Sequence, residues 1–184
     1  MGKLFNEIDS GLRAFIESQK VFFVATAPAG TDGHVNLSPK GLDVLCTLGP
    51  STIAYLDFTG SGIETVAHLR ENGRITIMLC AFEGPPRIVR LQGQDTAIEP
   101  QDPEFPALLS QFNTSPGVRA IIRVKLERIS DSCGSRVPLY RYEGDRSQLI
   151  TAAEKKGAVG LHEYRRNNNA ASIDGLPGLR SILP

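Results

Sequence analysis

Neither sign of charge prevails in this chain: its 184 residues carry 20 Lys and Arg against 20 Asp and Glu. Composition therefore indicates no nucleic-acid partner, although a local basic pocket is compatible with it. No window approaches the roughly 18 consecutive apolar residues of a membrane-spanning helix, so no membrane partner is expected. The opening "MGKLFNEIDSGLRAF" has no long apolar core and carries Glu7 and Asp9, unlike a secretory signal. Gly2 is followed by Asn6 where a myristoylation signal wants Ser or Thr. The three cysteines, Cys46, Cys80 and Cys133, are odd in number and far apart. They predict reduced, mostly buried thiols in a cytoplasmic protein. His34, His68 and His162 form no ligand pattern with them, so no metal is expected. Gly-x-Gly-x-x-Gly, P-loop, His-Glu-x-x-His and Gly-x-Ser-x-Gly motifs are all missing. Neither repeats nor a domain linker occur, which predicts one domain over residues 1–184 with an irregular C-terminal extension from about 165.

What is present is a succession of strands. "KLFNEIDSGLRAFIESQ" has helical periodicity and predicts an opening amphipathic helix. "VFFVATA", "HVNLS", "STIAYLDF", "RITIMLCAF", "PRIVRLQGQDTAIEP" and "VRAIIRVKLERISDS" read as strands. In the last of these, Val118, Ala120, Ile122, Val124 and Leu126 share one parity. Arg119, Arg123 and Lys125 share the other, which predicts a packed face and a wetter one. Short helices are expected over "SGIETVAHLRENG", stopped at Gly73, and over "DPEFPALLSQF". "RSQLITAAEKKGAVGLHEYRR" predicts a helix broken near Gly157, and "NNNAASIDGLPGLRSILP" an irregular tail. Most strands follow one another without a crossover helix. That predicts a mainly β, antiparallel, closed or partly closed barrel with short peripheral helices.

Two stretches carry candidate chemistry. In "TGSGIETVAHLRENG", Ser61 and Glu64 have capping-box spacing, and the glycine-flanked helix start offers free amides at a positive dipole end. Thr59, Ser61 and Thr65 would add hydroxyls to a phosphate site; an ordinary N-capped helix accounts for the same residues. His68, one turn beyond Glu64, either meets a ligand or seals the barrel, and Arg74 is a cation beside the helix end. In "GHVNLSPKGLD", Pro39 and Gly41 predict a broken strand that either aims Lys40 inward or leaves it solvated at a strand end. Asn36 and Ser38 share its face on an extended strand. Of Arg87 and Arg90, opposite in parity, one is expected in a groove. Cys133 reads as a structural thiol, and Tyr140 and Tyr142 as a pocket wall or a subunit contact. These groups suit the holding of a cofactor better than acid–base work.

"FFVATAPAGTDGHVNLSPKG", "IAYLDFTGSGIETVAHLRENGRITIMLCAF" and "RIVRLQG", in that order, resemble the pyridoxamine 5'-phosphate oxidase-like family over roughly residues 21–94. "SPKG", "SCGSRVPLY" and "NNNAASIDGLPGL" extend the likeness to an uncharacterised branch over most of the chain. The resemblance implies an antiparallel FMN-binding split β-barrel and a homodimer with flavin between subunits. It places Lys40 at the family's flavin-contacting lysine and Arg87 at the arginine opening its strand. Val35 stands where an arginine is expected and Ile88 where a glutamine is. Ile63, Glu64 and Thr65 replace a serine–arginine–lysine phosphate cluster. The C-terminal substrate-phosphate motif is not recognisable, which argues against vitamin B6 phosphate oxidation. The resemblance therefore implies an FMN flavoprotein, an oxidoreductase acting on a small-molecule substrate or electron donor. Its cofactor contacts would be Asn36, Ser38, Lys40, Thr59, Ser61, Thr65, His68, Arg74 and Arg87. A non-enzymatic flavin- or haem-binding store or sensor, a deazaflavin protein, and an interaction dimer with a vestigial pocket stand as alternatives.

Overall fold

The computed structural model describes residues 2–113 and 115–182. Seven strands form one antiparallel path: β3 (Asn36–Lys40), β2 (Phe22–Thr26), β6 (Arg74–Cys80), β7 (Ile88–Gln94), β9 (Val118–Ser132), β5 (Thr52–Phe58) and β4 (Leu45–Gly49). The two-residue strands β1 (Leu4–Phe5) and β8 (Ala97–Ile98) pair off this path with β9. The sheet curls so that its ends approach: Lys40 Nζ, on the β3 edge, lies 3.7 Å from Asp57 Oδ1 on β5. This is a split β-barrel, mainly β, as the succession of strands predicts. Val24, Ile77, Leu91, Ile53 and Ile122 are among the side chains that fill its interior.

β9 is the spine, pairing with β5 and β1 along one edge and with β7 and β8 along the other. Its bounds match the long alternating run of the sequence, but its parity does not hold throughout. Opposite β5, Asp57 faces Ala120 while Phe58 faces Val118, leaving Arg119 as the extra residue of a bulge. A bulge re-aims the side chain it releases. Arg119 is accordingly 5% exposed, on neither the simple packed face nor the wet one.

Four other expectations are corrected. The opening helix, α1, spans only Ser10–Ser18, because Asp9 accepts from the Leu12 amide and starts it there. The residues before it pair with β9 instead. The strand through "NLSPK" is not broken at Pro39. β3 is an edge strand bonded only to β2, so a missing donor is tolerated, and it ends at Gly41. Leu42 and Asp43 follow with positive φ, 68° and 53°, an uncommon state for leucine and one found at strained functional sites. β4 carries too little alternation to announce itself. Cys133 is exposed, whereas Cys80 is buried and Cys46 intermediate.

The second helix, α2 (Glu64–Asn72), packs across β2 and β6 and stops at Gly73, whose φ of 73° suits glycine. α3 (Phe105–Leu109) lies against β9. α4 (Gln148–Asn168) is interrupted at Gly157, as its sequence predicts, with φ 60° and ψ −177°. The tail after α4 is irregular but firmly seated. Leu179 is fully buried, and Arg180 reaches the buried Glu99 carboxylate at 3.1 Å. No described helix is long and apolar enough to cross a membrane.

Candidate functional site

Where the sheet curls shut, a cleft of about 320 Å³ opens between the end of β3, the end of β5 and the start of α2. Asn36, Ser38, Lys40, Thr59, Ser61 and Thr65 all line it. The alternation of β3 sends its three to one side, and the loop after β5 brings the others across the gap. Lys40 and Thr65 thus face one cavity. Asn36 Nδ2 binds Thr65 Oγ1 at 3.0 Å and Thr26 Oγ1 at 3.1 Å, tying β3 to α2. Both amide hydrogens of Asn36 are thereby engaged, and its carbonyl oxygen is left for a ligand. The Thr65 hydroxyl accepts from Asn36, and the fully buried Tyr55 hydroxyl lies near it. Ser38 Oγ is buried with no partner among the described residues, an orphan that calls for one.

The loop of residues 59–62 is held from behind. Arg119 Nε donates to Asp57 Oδ2 at 2.7 Å, and the carboxylate is 1% exposed. The same guanidinium donates to the carbonyls of Gly60 at 3.3 Å and Gly62 at 2.7 Å. Asn169 Nδ2 adds a bond to the Gly60 carbonyl at 2.9 Å. In a trans peptide the carbonyl and the following N–H point in opposite directions. Anchoring these two carbonyls therefore turns the Ser61 and Ile63 amides away from Arg119, and of the two residues Ser61 lines the cleft. The first amides of α2 are also free of helical partners. Donors thus converge here, but not as a capping box. The residue before α2 is Ile63, and no side chain caps it. Glu64 instead accepts from the Ile173 amide of the tail at 3.3 Å. Thr59 lines the cleft, yet its hydroxyl donates to Gly117 O at 2.8 Å and accepts from Arg165 Nε at 2.9 Å. Its proton is spent inside the fold, so it fastens the loop and has none for a phosphate.

His68 does not reach the cleft. It is fully buried, with Nδ1 2.9 Å from Thr26 Oγ1 and Nε2 unpartnered. Burial lowers its pKa, opposed by the carboxylates of Asp174, Glu64 and Glu71. A histidine held neutral contributes stability fully present above its unfolded pKa of about 6.5 and lost as pH falls through the folded value. Urea unfolding between pH 7.5 and 5 should therefore show stability declining below about 6.5, with His68→Asn flattening that part of the slope. A wild-type curve flat over this interval would contradict a buried neutral imidazole.

The family model described as pyridoxamine 5'-phosphate oxidase matches residues 8–133. A relative from Aspergillus flavus, the pyridoxamine 5'-phosphate oxidase family protein ustO, is 38% identical over 196 residues, covering 97% of this chain and 78% of that protein. This chain belongs to the pyridoxamine 5'-phosphate oxidase family. Two solved structures share its fold. HupZ from Group A Streptococcus has a TM-score of 0.51 at 22% identity, covering 66% of this chain and 91% of that one. A candidate pyridoxamine 5'-phosphate oxidase from Lactobacillus delbrueckii scores 0.52 at 17%, covering 69% and 98%.

Within this family member the remaining expected contacts lie elsewhere on the single chain. Arg74 bonds Asn72 and the Pro28 carbonyl at the far end of α2. Arg87 pairs with Asp131 at 3.1 Å and stacks over Phe15, 4.9 Å from its ring centre. Both cations are occupied locally, which removes them from the cleft. At the positions of the expected phosphate cluster, Ile63 is buried in the core, Glu64 serves the tail, and Thr65 faces the cleft. Reading by residue type misses Asp57, Arg119, Arg165 and Asn169. Only an acid on one strand opposite a basic residue on another could have signalled the first two.

Proposed function

We propose that this protein is a flavoprotein that holds FMN in the cleft and acts as an oxidoreductase on a small-molecule substrate or electron donor. The family resemblance supports a homodimer in the cytoplasm. The observation that carries the reading is the junction of Lys40, the orphaned Ser38 hydroxyl and the donor-rich loop around one cavity. When bound, FMN supplies two-electron redox chemistry. The chain's part is to bind and orient. The Thr65 hydroxyl and the Ser61 amide suit a phosphate at a helix start. Lys40, Ser38 and the Asn36 carbonyl suit the polar edge of a ring system.

Charge counting explains how this site can work with few cations. Lys40 and Arg119 oppose Asp57, leaving about one net positive charge beside the loop, and Glu64 stands at its edge. A phosphate of about −1.5 to −2 charge therefore depends on oriented dipoles more than on ion pairs. Quenching of flavin fluorescence on titration with purified protein tests this. Thr65→Val removes one donor to an anion, about 1.5–3 kcal/mol, and should weaken FMN about 10- to 100-fold while leaving riboflavin unchanged. Lys40→Met should weaken both. No quenching with either flavin would defeat the proposal, and equal losses for both in Thr65→Val would remove the phosphate from this loop.

A further inference from the structure

Beside the cleft lies a larger chamber of about 1190 Å³, and the two share Pro39, Lys40, Gly41, Leu42 and Leu149. Its far wall comes from the segment after β9. Tyr140 and Phe82 pair with ring centres 5.6 Å apart, and Tyr142 stands two residues on with Lys20 Nζ 5.9 Å from its ring centre. This wall has no helix or strand, yet it is fastened to the turn between β6 and β7. The Tyr140 amide donates to Phe82 O at 2.9 Å, and the Tyr142 amide to Glu83 Oε1 at 3.0 Å. Tyr140 is nevertheless 65% exposed. A large aromatic pinned in place with its face open is suited to stacking on a planar partner.

The charges on the rim are unequal in what they are free to do. Glu83 holds the Tyr142 amide, and Asp145 lies beside the Tyr142 hydroxyl. Lys40 already faces Asp57. Lys20 and Arg146 also line the chamber, and among the described residues neither has a carboxylate within ion-pair distance. Lys20, Lys40, Arg141 and Arg146 on the chamber wall outnumber Glu83 and Asp145, which favours an anion.

We propose that this chamber is the second binding site of the protein and takes planar aromatic carboxylates, laid against Tyr140 with the carboxylate toward Lys20 and Arg146. As the substrate site of the same centre it rests on the flavin reading, because Lys40 and Leu42 form the border of both cavities. A ligand stacked there lies next to whatever the cleft holds.

Equilibrium binding of 2-naphthoate and of 2-naphthylmethanol, followed by probe fluorescence, tests the proposal. The carboxylate should bind at least about tenfold tighter than the alcohol, the scale of a charge-assisted bond. Lys20→Gln with Arg146→Gln should erase that preference, and Tyr140→Ala should weaken both probes while Tyr140→Phe keeps them. Equal binding of the two probes, or full affinity in Tyr140→Ala, would overturn the site. So would sedimentation showing that Tyr140→Ala dissociates a dimer, since a second copy of the chain would then fill the groove. FMN titrations of the same samples separate the two readings. Naphthoate binding without FMN binding removes the flavin and keeps the chamber, and the reverse removes the chamber alone.

Discussion

Arg119→Met is expected to cost about 3–5 kcal/mol of unfolding free energy, the usual penalty for stripping a buried ion of its partner. Asp57 would stay buried, with Lys40 3.7 Å away as its remaining counter-charge, so the loss should fall near the lower end. The Gly60 and Gly62 carbonyls would lose their guanidinium donor at the same time. The Gly62 peptide is then free to rotate, and the Gly60 peptide, kept by Asn169 alone, holds the Ser61 amide less firmly. FMN affinity should therefore fall by about tenfold or more, the equivalent of one anion-directed bond. The pair Arg119→Met with Asp57→Leu separates the two roles. It leaves only the part-exposed Lys40 without its partner, so denaturant titration should show most of the stability restored. It leaves the Gly62 carbonyl unanchored and the Gly60 carbonyl with Asn169 alone, so FMN binding should stay weak. Recovery of both would mean that Arg119 acts only as the partner of Asp57.

Most of the strands were readable because alternation is a local property. Phe22–Thr26, Arg74–Cys80 and Val118–Ser132 each announce themselves by residue type and period. The cleft side of β3 was readable for the same reason, since Asn36, Ser38 and Lys40 sit two apart. Helix stops at Gly73 and the break at Gly157 followed from glycine alone. What was not legible depends on partners distant in sequence. Arg119 leaves its expected face through a bulge set by its pairing with β5. Thr59 is withdrawn from ligand duty by Arg165, more than a hundred residues on. Glu64 could have closed a local cap with Ser61 but is claimed by Ile173. Arg74 and Arg87 look like free cations in one dimension and are satisfied in three. Residue type alone does not show where a side chain already has an internal partner.

The tail is the other place where irregular sequence conceals a structural role. Ending the chain at Asn168 should remove a large share of the ~5–15 kcal/mol that holds a domain of this size. Three losses coincide. The fully buried Leu179 goes, and burying such a side chain is worth about 1.5–3 kcal/mol. Asn169 releases the Gly60 carbonyl, and Arg70 loses the Gly178 carbonyl that it binds from α2. Most costly, Glu99 is fully buried and accepts from the Arg180 amide at 2.9 Å, the Arg180 Nε at 3.1 Å and the Ser181 amide at 3.1 Å. Without the tail that carboxylate lacks these three donors, a loss of about 3–5 kcal/mol. The damage should therefore be partly reversible by a substitution far from the cut. Glu99→Gln in the shortened chain should raise its urea midpoint, because a neutral amide is cheaper to leave buried. In the full chain the same substitution should lower the midpoint, since Arg180 then faces an amide. Opposite signs in the two backgrounds identify Glu99 as the anchor that the tail neutralises. The same sign in both would mean that the tail stabilises by packing alone.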